Sequence, residues 1–79
     1  MTISRSEALR SARKLLRTFA GAPEPRRQAR AIYSALAHGD GWSAAEAVQI
    51  KALGELLDGL PPVVTLRSHC EAAIIKLET

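Results

Sequence analysis

The chain has 79 residues, a formal net charge of +3 and a mean hydropathy of −0.02. That length holds one domain. No apolar run approaches the roughly 20 residues of a membrane span, and the start, MTISRSEALR, lacks the apolar stretch of a secretory signal. A lone cysteine, Cys70, excludes an internal disulfide and fits a reducing compartment. A cytoplasmic protein with no membrane partner is the expectation.

The apolar inventory is 21 large side chains (Ile, Leu, Val, Phe, Tyr, Trp) and 14 alanines. A chain this short buries only roughly 60–65% of its unfolded surface. Small domains without staples often dimerise, so a homodimer is expected. Charge is uneven along the chain. Residues 1–37 carry eight Lys or Arg against two acids, whereas residues 38–79 carry three against six. The excess of arginine over lysine and the many alanines fit a GC-rich bacterial or phage origin.

The spacing predicts an all-α fold, a small bundle of three to four short helices in a single domain over 1–79. Ser4 and Glu7 have capping-box spacing, with Ile3 at the staple position. Leu9, Ala12, Leu15, Leu16 and Phe19 recur at helical spacing, so a first helix runs from about Arg5 to Ala20, ended by Gly21. Pro23 and Pro25 break it. A second helix begins near Pro25, buries Ala29, Ile32, Tyr33 and Leu36, and ends at the His38-Gly39-Asp40-Gly41 loop. Ser43 and Glu46 form a second capping box, with Trp42 placed to staple onto Ala47. The third helix runs to about Asp58 and stops at Gly59. A fourth covers roughly Thr65 to Leu77, with Val63, Leu66, Cys70, Ala73, Ile74 and Leu77 on one face and a competing capping box at Ser68 and Glu71. No segment has a convincing strand pattern.

Arg10, Arg13, Lys14 and Arg17 fall opposite the apolar face of the first helix at about 100° per residue. Arg26, Arg27 and Arg30 make a similar edge on the second. Clustered cations repel unless something anionic screens them, and two macromolecular partners would do so: nucleic acid, through counterion release, or an acidic protein surface. A solvated face is the plain alternative. A helix-turn-helix reader fits poorly, because its recognition helix would be AAEAVQIKALGELLD, with one lysine among Glu46, Gln49, Glu55 and Asp58.

The third helix is apolar on two sides. Val48, Ala52 and Leu56 make one stripe, and Ala47, Ile50, Gly54 and Leu57 another, which places it centrally in its own bundle or at an interface. Val64 and Ile75 point away from the fourth helix's apolar face. Trp42, Ile50, Gly54, Val64 and Ile75 therefore form the candidate apolar interface. His38, Asp40, His69, Cys70 and Glu71 are ligand-type residues, but no metal-site spacing joins them. His69 and Cys70, adjacent on a helix, point about 100° apart and make no nucleophile pair. No metal, cofactor, small-molecule substrate or catalytic residue is expected. The expected class is a small non-enzymatic regulator or adaptor, such as a phage- or plasmid-type inhibitor. The alternative is a phosphate-backbone binder of nucleic acid acting through the first two helices.

Overall fold

The computed structural model describes residues 3–78 and shows four α-helices in chain order: α1 (Arg5–Arg17), α2 (Pro25–Ala37), α3 (Ala44–Asp58) and α4 (Val63–Glu78). Local chemistry accounts for most of the boundaries. The Ser4 hydroxyl accepts from the Glu7 amide at 3.2 Å, the half of the capping box that α1 makes. At α3 both halves form: Ser43 Oγ accepts from the Glu46 amide, and Glu46 Oε1 accepts from the Ser43 amide at 3.0 Å. Pro25 opens α2, where its missing N–H costs nothing.

Several boundaries differ from the sequence expectation. The first helix ends at Arg17, and Phe19–Gly21 form a 3-10 turn. Gln28 of α2 donates to the Leu15 carbonyl at 2.8 Å and to Thr18 Oγ1 at 3.0 Å, so a neighbouring helix satisfies an end group of α1. The fourth helix starts at Val63, two residues early, and Thr65 Oγ1 donates back to Pro62 O at 2.7 Å. Helix α4 runs straight through Ser68 and Glu71, so no second cap forms there. Val63, placed on the core face by spacing, is 43% exposed, because it lies in the first turn of α4 at the rim of the core.

A short ladder also appears where no strand was expected. Ile3–Ser4 (β1) pairs in parallel with Gly39–Asp40 (β2), Ile3 opposite Gly39. Two residues are too few to leave a period in the sequence. Gly39 is required there by close approach: a Cβ would sit 2.7 Å from Ala8 Cβ and 2.8 Å from Trp42 Nε1.

One apolar cluster joins all four helices, with Ala12, Ile32, Leu36, Leu53, Leu57, Leu66, Cys70, Ile74 and Leu77 among its members. The Cα radius of gyration, 11.6 Å, is that of a folded domain of this length. Helix α3 turns Ile50, Leu53, Gly54 and Leu57 inward and leaves Val48, Ala52 and Leu56 outside. Trp42 packs against the core, while Ala47, its expected staple partner, is exposed. The Trp42 indole N–H donates to the Leu36 carbonyl at 2.9 Å, at the end of α2.

Arg5 ties three elements together. Its Nε and one terminal nitrogen donate to Glu46 Oε2 at 3.0 and 2.6 Å, and the same terminal nitrogen donates to the Leu77 carbonyl at 2.7 Å. The guanidinium also lies 5.4 Å from the Trp42 ring centroid. This arginine, followed by the Ser43 amide, holds the Glu46 carboxyl below its usual 4.5, against a smaller opposing effect of burial. A depressed folded-state pKa contributes stability that is complete above the unfolded value and lost as pH falls through the folded one. Denaturant midpoints measured downward from neutral pH are thus expected to fall less steeply below pH 4.5 for Glu46→Gln than for the native chain. Parallel acid limbs would mean the carboxyl is not coupled to Arg5.

Candidate functional site

The ligand-type residues do not assemble. His38 Nδ1 lies 2.6 Å from the Ser34 carbonyl, and Asp40 accepts from the Gly41 amide at 2.9 Å, so both are used by their own turns. Cys70 is fully buried in the core, and burial pushes its thiol up to about 11. At neutral pH it is the protonated, weakly nucleophilic form. Among the described residues, no group of three or more His, Cys, Asp or Glu side chains comes together. Likewise, no helix among them is long and apolar enough to cross a membrane.

The surface cations are better organised. Five arginines have carboxylate partners: Arg5 with Glu46, Arg13 with Glu78, Arg27 with Glu24, Arg30 with Asp58 at 2.9 Å, and Arg67 with Glu71. Arg10, Lys14 and Arg17 have no acidic partner among the described residues. All three are exposed and lie on the outer face of α1, as the helical spacing implies. Ser6, Leu9, Arg10, Arg13 and Arg17 line a shallow groove along that face.

The two basic groups read from the sequence do not merge. Gln28 marks the side of α2 that meets α1. Arg26 and Arg30 lie roughly 160–200° around the helix from Gln28 and turn to the other side. There Arg26 donates to the Pro61 carbonyl at 2.9 Å and Arg30 meets Asp58. Among the described residues Arg27 pairs with Glu24, three residues back, and both are well exposed.

The candidate apolar interface divides too. Ile50 and Gly54 are buried in the chain's own core, so they offer no surface. They are on the inner side because a Gly54 without a Cβ lets the Tyr33 ring close onto α3. Trp42 is half-buried against the end of α2. Val64 and Ile75 are exposed, at 88% and 54%. Eleven residues of helix hold them roughly 16 Å apart, so they are separate features. Leu60, which the sequence did not single out, is also exposed, at 69%, as are Val48 of the outer α3 stripe and Val63 at the start of α4, at 63% and 43%.

No family model, curated protein or solved structure matches the chain.

Proposed function

We propose that the chain is a small non-enzymatic regulator or adaptor that binds an anionic surface of a larger protein or protein–nucleic acid assembly, with α1 as its electrostatic contact. The observation that carries this reading is the uncompensated row Arg10, Lys14 and Arg17, beside five arginines that do have acidic partners. Exposed cations on one helix face raise encounter rates with an acidic partner and add little to the stability of the fold.

The groove beside Arg10, Arg13 and Arg17 supports a second reading, contact with a nucleic-acid backbone. Since Arg26 and Arg30 face elsewhere, that footprint is one helix wide. With about four phosphate contacts, the log–log salt slope would not exceed about 3.6 in magnitude.

The test compares the native chain with the triple variant Arg10→Gln, Lys14→Gln, Arg17→Gln, which keeps helix propensity and leaves the Arg13–Glu78 pair in place. Poly-L-glutamate and a generic DNA duplex serve as probes at two salt concentrations. Saturable binding of polyglutamate by the native chain, lost in a variant whose circular dichroism is unchanged, is the expected result. Tighter binding of the duplex, with a slope reduced by about 0.9 for each contact removed, selects the second reading. Equal affinities of native chain and variant for both probes would overturn both readings.

A further inference from the structure

The turn between α3 and α4 is built against local preference. The residue with left-handed backbone is Leu60, at φ +53°, while Gly59 before it has φ −75°, a value open to any residue. A side chain in the left-handed region crowds the following carbonyl, and glycine is the usual occupant of such a position after a helix. Burial does not offset that crowding, because the Leu60 side chain is largely exposed. Strain at an exposed apolar side chain that packs little of its own core points to a role outside the fold.

The surroundings define what that role needs. Beyond Pro61 and Pro62, at the start of α4, Val63 and Val64 are exposed as well. Arg26 lines both a cavity of about 150 Å³ that includes Leu60 and a shallow depression that includes Val63, Pro25 and Arg27. The two acids that line these hollows, Asp58 and Glu24, face Arg30 and Arg27, and Arg26 donates to the Pro61 carbonyl, so three arginines stand there against two carboxylates. The charge left over is positive. An apolar patch rimmed by arginine suits a partner segment that is apolar on one side and acidic on the other.

We infer that the α3–α4 turn is a docking surface for an acidic amphipathic segment of a protein partner, with Leu60, Val63 and Val64 as the apolar contacts and Arg26 and Arg27 meeting the carboxylates. The surface is separate from the α1 row, so the two can fail independently.

The test uses synthetic peptides and amide chemical shifts of the full chain. The first peptide places leucines on one helical face and glutamates on the other. A second replaces its leucines with serine, and a third replaces its glutamates with lysine. The expected result is saturable shifts at Arg26, Arg27, Leu60, Val63 and Val64 with the first peptide alone. Leu60→Gly combined with Val63→Ser should weaken that binding at least about tenfold, the equivalent of 1.4 kcal/mol. Leu60→Gly relieves the backbone, so the variant should keep its fold. The triple α1 variant should bind the first peptide at this site as the native chain does. The inference is overturned by equal binding of the serine or lysine peptide, by shifts confined to α1, or by unchanged affinity in the double variant. Concentration-dependent shifts of these amides without peptide would also overturn it, because a second copy of the chain would then be the occupant.

Discussion

Replacing Ile32 with alanine is expected to lower the unfolding free energy by about 2–5 kcal/mol, whereas Ile75→Ala should change it by no more than about 0.5 kcal/mol. The two residues are chemically identical and both lie on helices. Ile32 is fully buried on α2, the helix that packs against each of the other three, whereas Ile75 is more than half exposed on α4. At about 0.05–0.15 kcal/mol per residue, a chain of this length holds roughly 4–12 kcal/mol in total, so the Ile32 change removes a large share. Urea unfolding followed by circular dichroism measures both. Equal losses would contradict the burial described. A loss at Ile75 that grows with protein concentration would show that a second copy covers it.

The elements with local causes were legible in the sequence. Ser43 and Glu46 are three residues apart and complete both capping bonds, and Pro25 opens α2 as its missing N–H allows. The outward position of Arg10, Lys14 and Arg17 follows from helical spacing alone, because the other face of α1 is apolar. What the sequence hid was long-range pairing. Arg13 has the spacing of its three neighbours, yet it is held by Glu78, 65 residues away. Arg5 carried no signal, and its partner Glu46 lies 41 residues on. Arg26 and Arg30 looked equivalent to the α1 cations until contacts with Pro61 and Asp58 fixed their side of α2. At the end of α3 a glycine was visible as a stop, but nothing local said that the left-handed residue would be the leucine after it.

Helix α3 posed the hardest choice, since either of its apolar stripes had the spacing to face inward. Fit against a distant side chain decided it, and that fit can be measured. Gly54→Ala is expected to destabilise the chain by about 1–3 kcal/mol, although alanine improves helix propensity by about 1 kcal/mol. The added Cβ would stand 2.7 Å from Cε1 and 2.8 Å from Cζ of Tyr33. The half-buried ring would have to swing away from α3, giving up its packing on the core. In a Tyr33→Ala background no ring obstructs the new methyl group, and Gly54→Ala should become neutral or stabilising. The coupling between the two substitutions then reports the fit directly. If Gly54→Ala costs the same in both backgrounds, the ring is not what requires a glycine. Another close approach to α3 within the chain's own core would then have to account for it.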